Sequence, residues 1–286
     1  INKKEKIEVL AVSEGDDGFL KRIYTDDNFQ FQSFSPTSLN YSLLDNQNLI
    51  ILNELNQVPA ALQNALISFN KNGGSVVVIP SNTIETISYN QFLANFYGTS
   101  YIQKVKQDLD ITTIAFSHPL YEQVFEKKTT NFQYPKVSEY YSLKTSAPPI
   151  LSFGNNSPFL IGSDGVYIFS ASLSTQNSNF KNSPLIVPTF FNIGDQSLKL
   201  AKLYNLMGSA ITADVPVGLS KDQILKVSQK GYEFIPQQRA LANKTELTFG
   251  DNPDRDGIFS ITTGDSIIQN ISFNYSRKES NLVYLN

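Results

Sequence analysis

The sequence predicts an α/β fold, a mostly parallel sheet covered by helices, followed by a small C-terminal antiparallel β-sandwich. Three observations predict it. Between Asn48 and Ser81 the order is strand, helix, strand: Leu49-Ile50-Ile51-Leu52 is an apolar run too short for a helix, and Ser75-Val76-Val77-Val78-Ile79 is a β-branched run closed by Pro80. Two strands joined through a helix form the βαβ crossover from which parallel sheets are built. In the joining segment Leu62, Ala65, Leu66 and Phe69 recur at helical spacing after Pro59, and Gly73-Gly74 ends the helix. From Ala213 onward the helical signal gives way to short alternating runs between turn residues, the texture of a sandwich. The predicted division is therefore residues 1–212 and 213–286, packed together, since no Gly/Ser- or Pro-rich linker separates them.

The remaining elements follow in order. Ile7–Val12 reads as a first strand, Phe19–Tyr24 as a short helix behind an acidic N-cap in the loop Ser13–Asp17, and the alternation of Phe29–Phe34 as a strand nearer the edge. A helix is predicted over Tyr89–Tyr97, a strand over Ile111–Phe116, and an amphipathic turn through Tyr121, Val124 and Phe125. Short strands are predicted at Val137–Leu143, Pro149–Phe153, Phe159–Ile161 and Val166–Ala171, the last two joined as a hairpin through Gly162-Ser163-Asp164-Gly165. Ser183–Phe191, kinked by Pro188, and Ser197–Met207 read as helices covering the second face of the sheet. Strands at 225–227, 232–235, 246–249, 258–262 and 271–275 make up the sandwich.

Composition excludes several functions. With 23 basic and 26 acidic residues, a net charge of −3 and no long basic run, the chain lacks the electrostatic footprint of a nucleic-acid binder. It has no cysteine, which excludes disulfides, thiolate catalysis and Cys-ligated zinc, and its one histidine excludes multi-histidine metal sites. No apolar stretch approaches the ~20 residues that cross a bilayer, and no signal peptide is present. A chain starting at Ile1 whose one methionine is Met207 is expected to be a processed product or excised fragment, any anchor lying in sequence outside it.

Few residues carry candidate chemistry. Ser81 follows a predicted parallel strand, where α/β hydrolases place a nucleophile, but its neighbours Ile79, Pro80 and Asn82 do not form the small-residue elbow such a serine needs. His118, before Pro119, is the one possible imidazole base. Tyr140 and Tyr141 are expected at a strand surface, where they would serve a glycan or peptide platform. Ser81, His118, Tyr140 and Tyr141 are thus the candidate binding residues, and no catalytic residue is assigned. Asn252, Asp254 and Asp256, with Gly257, match the first half of a calcium loop, yet Thr263 stands where the bidentate glutamate belongs; an Asp-Gly turn feeding the next strand is the preferred reading. No cofactor and no bound metal are expected.

Several phrases resemble a family. The run Leu49 to Pro80 resembles the class I glutamine amidotransferase-like fold, in the form found in bacterial membrane proteins with an N-terminal BatA (aerotolerance-regulator) domain. Ser117-His118-Pro119-Leu120-Tyr121, the stretch Gly165 to Leu173, Ser183-Pro184-Leu185-Ile186-Val187-Pro188, Asp256-Gly257-Ile258-Phe259, Phe273-Asn274-Tyr275 and Lys278-Glu279-Ser280-Asn281-Leu282 are similar to those proteins. The resemblance implies a flavodoxin-like, amidotransferase-like domain from the periplasmic side of a membrane-anchored protein, with protein partners at the membrane. It also implies that Ser81 stands near where amidotransferases carry their cysteine, so the ancestral activity is expected to be absent.

Overall fold

The computed structural model describes residues 6–122, 133–198, 205–207, 211–215, 217, 219, 223–240, 245–264 and 266–275. It divides into two compact units, Ile1–Lys199 and Leu200–Asn286.

The first unit contains β1 (Ile7–Ser13), α1 (Gly18–Ile23), β2 (Phe29–Phe34), β3 (Leu49–Leu55), α2 (Ala60–Lys71), β4 (Ser75–Pro80) and α3 (Thr86–Leu93). Then come β5 (Ser100–Ile114), β6 (Lys136–Lys144), β7 (Pro149–Phe153), β8 (Pro158–Ser163), β9 (Val166–Phe169) and α4 (Ile186–Gln196). The nine strands form one sheet in the order β2-β1-β3-β4-β9-β8-β7-β5-β6. Neighbours from β2 to β9 pair parallel, and those from β9 to β6 antiparallel. All the strands except β5 and β8 therefore run the same way.

Alternation along the strands builds two cores. On β1, β3 and β4, Val9, Ala11, Leu49, Ile51, Val77 and Ile79 face α1 and α4, while Leu10, Val12, Ile50, Leu52, Val76 and Val78 face α2 and α3. Every residue of β3 is buried, which is why its first four residues read as an apolar run rather than an alternating one. Gly74 is required where α2 turns into β4, because a Cβ there would meet the Phe69 ring.

The structure corrects several sequence expectations. β5 begins at Ser100, not Ile111; its register slips twice against β6, and charged residues such as Lys104, Lys106 and Asp108 hide the strand pattern. The helix containing Pro188 starts later than expected: α4 begins at Ile186, so Pro188 sits in its first turn, where no amide is needed for an intrahelical bond and the reason for a kink is removed. Asp17 occupies the N-cap of α1 without a capping side-chain bond; Asp16 Oδ1 accepts from Gly18 N–H at 3.1 Å instead, and Asp17 pairs with Lys21 at 3.0 Å. Of the helix expected over Ser197–Met207, Asn205–Leu206 form a strand and residues 199–204 lie outside the described residues. Val124, Phe125 and the stretch Lys278–Leu282 also lie outside them.

The second unit comprises β10 (Asn205–Leu206), β11 (Thr212–Val215), β12 (Lys226–Gln229), β13 (Tyr232–Phe234), β14 (Gln237–Ala240), β15 (Thr245–Thr248), β16 (Gly257–Thr263) and β17 (Ser266–Asn274). Two sheets, β10-β17-β16-β12-β13 and β11-β15-β14, enclose a core of Val215, Val227, Leu247, Phe249, Phe259, Ile261 and Phe273. All these pairings are antiparallel except that of β10 with β17. Because β10 pairs with β17, this unit starts at Leu200, upstream of the boundary read from the sequence. β14, a polar strand, gave no apolar alternation to find.

Candidate functional site

In an open α/β sheet, ligands settle at the carboxyl ends of the strands where the chain switches faces, which here lies between β1 and β3. That end is filled by side chains that bond one another. Asn53, fully buried at the end of β3, donates through Nδ2 to Ser13 Oγ at 2.7 Å, and its carbonyl accepts from Glu14 N–H at 3.1 Å. Glu54 follows with φ of 57°, a left-handed conformation that costs a non-glycine residue about 1 kcal/mol or more. Its carboxylate is buried and accepts from Ser172 Oγ at 2.6 Å. Gly15 makes room, since a Cβ there would collide with that carboxylate. The buried Lys181 ammonium donates to the Asp16 carbonyl at 3.2 Å and lies 4.6 Å from the centre of the Phe19 ring. The Asp16 carboxyl is held below its ordinary value by the Gly18 amide, with Lys181 adding to the effect. Among the described residues, two enclosed atoms at this end, Asn53 Oδ1 and Ser170 Oγ, have no partner.

Ser81 and Tyr141 belong to the same end. The Ser81 hydroxyl lies 2.9 Å from the Thr83 carbonyl and 3.1 Å from Asn56 Oδ1, and it accepts from Thr83 N–H at 3.2 Å. These bonds tie it into its own loop. The Tyr141 hydroxyl donates to the Asn82 carbonyl at 2.8 Å and accepts from Ile84 N–H at 3.3 Å, clamping the loop from the other side. Tyr141 and Tyr140 are 6% and 5% exposed, which corrects the expectation that they lie on a strand surface. As neighbours on β6 they point to opposite faces. Tyr140 packs in the other core, 4.8 Å centre to centre from the Phe153 ring, and its hydroxyl accepts from Asn155 Nδ2 at 3.2 Å.

His118 lies at the opposite end of the sheet. It lines a cleft with Ser75, the first residue of β4, whereas Ser81 follows the last, so the length of a six-residue strand, roughly 20 Å, separates the two. Ser81 and His118 are not brought together. His118 Nδ1 accepts from Leu120 N–H at 3.2 Å. Burial lowers the imidazole pKa, partly offset by the Gly162 backbone. The cleft measures about 490 Å³ and is also lined by Asp164, Tyr167, Gln196 and Leu198.

Two of the calcium candidate residues bond protein groups. Asn252 Oδ1 accepts from the Tyr232 hydroxyl at 3.1 Å, Asp254 pairs with Arg255 Nε at 3.0 Å, and Arg255 lies 4.4 Å from the centre of the Tyr232 ring. Asp256 leads into β16 through Gly257, whose φ is 127°. Among the described residues no group of three or more His, Asp or Glu side chains is arranged to hold a metal. A wider cleft of about 650 Å³ runs beside edge strand β2, where Lys21 and Asp17 neutralise each other.

Sequence reasoning missed Glu54, Ser172 and Lys181. The signal available was position: Asn53-Glu54 and Ser172 are polar residues just where apolar runs of parallel strands stop.

No family model and no curated protein matches the chain. Among solved structures it is similar to a ThuA-like protein from Bacteroides uniformis, at 12% identity and TM-score 0.47 over 66% of this chain and 91% of that one. It is similar to a GMP synthase component from Thermoplasma acidophilum, at 10% identity and TM-score 0.44 over 68% and 94%. A β-galactosidase from Rahnella sp. R3 matches at 11% identity and TM-score 0.48 over 92% of this chain and 41% of that one. At these identities and scores the likeness transfers no residue role, substrate or activity.

Proposed function

We propose that the chain is a non-catalytic interaction module, the extracytoplasmic part of a membrane-anchored protein of the BatA type, whose partners are proteins of a membrane-associated assembly. The observation that carries the non-catalytic reading is the separation of Ser81 from His118. A hydrolase needs a nucleophile, a base within about 3 Å and donors for the developing oxyanion. Here the serine is tied into its own loop at one end of the sheet and the imidazole accepts a bond from Leu120 N–H at the other. The periplasmic and membrane-anchored part of the reading rests on the sequence phrases that resemble that family; no helix among the described residues is long and apolar enough to cross a membrane. The alternative, a glycan or peptide platform of exposed aromatics at the carboxyl ends, is disfavoured because Tyr89, Tyr101, Tyr140 and Tyr141 are all buried.

Capture of partners from detergent-solubilised membranes with the full-length tagged protein tests the reading. Recovery of the same membrane proteins by wild type and by a Ser81→Ala, His118→Ala double variant is the expected result. Recovery of none, or loss of capture together with loss of a hydrolytic activity in the double variant, would contradict it.

A further inference from the structure

The cleft around His118 is lined by buried side chains whose hydroxyls open on it. Tyr167, 4% exposed, and Ser75, 6% exposed, both line it. Among the described residues neither hydroxyl has a hydrogen-bond partner, and neither is among the enclosed orphan atoms, so both are reachable from the cleft. Two hydroxyls on nine-tenths buried side chains, open toward one concavity and without a protein partner among the described residues, are free to bond a ligand. Glycine preserves the arrangement: Gly165, with φ of 82°, closes the β8–β9 hairpin, and a Cβ there would lie 3.0 Å from Ser75 Oγ.

The rest of the lining sets the chemistry. Gln196 Nε2 donates to the Pro119 carbonyl at 3.1 Å, which fixes the amide with its oxygen left to accept. His118, held at Nδ1 by Leu120 N–H, contributes a ring wall beside Pro119 and Leu198. Among the described residues no lysine or arginine lines the cleft, which disfavours phosphates and carboxylates, and the one charge among them, Asp164, is an exposed turn residue, a weak anchor for a cation. What remains are hydroxyls that both donate and accept, an amide and a fixed ring edge. We propose that this cleft binds a neutral, polyhydroxylated small molecule of monosaccharide size. The volume lies within the range of small-molecule sites. Burial also holds the Tyr167 hydroxyl pKa up at about 12 and the His118 imidazole down, so both groups are neutral hydrogen-bonding partners near pH 7.

The test uses the intact chain with D-glucose, D-galactose, myo-inositol and methylammonium as probes, read by saturation-transfer NMR and calorimetry. At least one polyol is expected to bind, and Tyr167→Phe and Ser75→Ala are each expected to weaken it roughly five- to tenfold. Each variant deletes a hydroxyl that has no internal partner, so thermal midpoints are expected to stay at the wild-type value. The proposal is overturned if no polyol binds, if binding is the same in both variants, or if methylammonium alone binds and Asp164→Asn abolishes it. A fall in the midpoint of Tyr167→Phe would overturn it too, by showing an internal partner for the hydroxyl.

Discussion

The two ends of the nine-stranded sheet share strands but not hydrogen-bonding. At the carboxyl ends of β1, β3, β4 and β9, Asn53, Glu54, Ser81, Tyr141 and Lys181 bond to neighbours within the same cluster, and the orphan atoms Asn53 Oδ1 and Ser170 Oγ are sealed from solvent. At the amino ends of β4 and β9 the Tyr167 and Ser75 hydroxyls have no partner among the described residues and line an open cleft. Fold class points to the first end as the place for a ligand, whereas hydrogen-bond accounting points to the second. A polar cluster that satisfies itself stabilises its loops and offers a ligand little, while one left open can exchange water for a ligand.

Substitutions at the two ends should separate them. The largest effect is expected from Ser172→Ala, which removes the hydroxyl bonding the buried Glu54 carboxylate and should lower stability by about 2–3 kcal/mol in urea unfolding. Tyr141→Phe removes a hydroxyl with partners in the 81–84 loop and should cost about 1–2 kcal/mol. The same change at Tyr167 should alter stability by less than about 0.5 kcal/mol, because nothing is bonded there to lose. Equal losses for the two tyrosines would erase the comparison.

The smallest effect concerns pH. The His118 imidazole has a folded pKa below its ordinary 6.5, so below pH 6.5 the unfolded chain takes up a proton that the folded chain resists. Stability from this group is therefore full above 6.5 and declines as pH falls toward the folded value. In His118→Gln, the difference in urea midpoint between about pH 7.5 and pH 5 should shrink relative to wild type. An unchanged difference would mean that the ring is not constrained as described.

Much of the fold was legible because β1, β3, β4 and the β8–β9 hairpin announce themselves locally, by apolar runs and by an Asp-Gly turn. β5 and β14 were not, since charge and polarity mask their period. The parallel strands correctly placed Ser81 at a carboxyl end. The partners that fill that end were invisible: Glu54 meets Ser172 across 118 positions and Lys181 meets Asp16 across 165. Tyr140 and Tyr141 looked like surface residues because β6 alternates polar and apolar residues weakly, yet both faces of the strand are covered where they sit.

The central claim, that the Ser81 end of the sheet is structural and not catalytic, is tested most directly by reacting the intact chain with a serine-directed fluorophosphonate and locating any adduct by peptide mass spectrometry. No adduct at Ser81 is predicted, with native and urea-unfolded protein alike unlabelled at that position. Stoichiometric labelling of Ser81 in the native protein, lost in His118→Ala, would contradict the account.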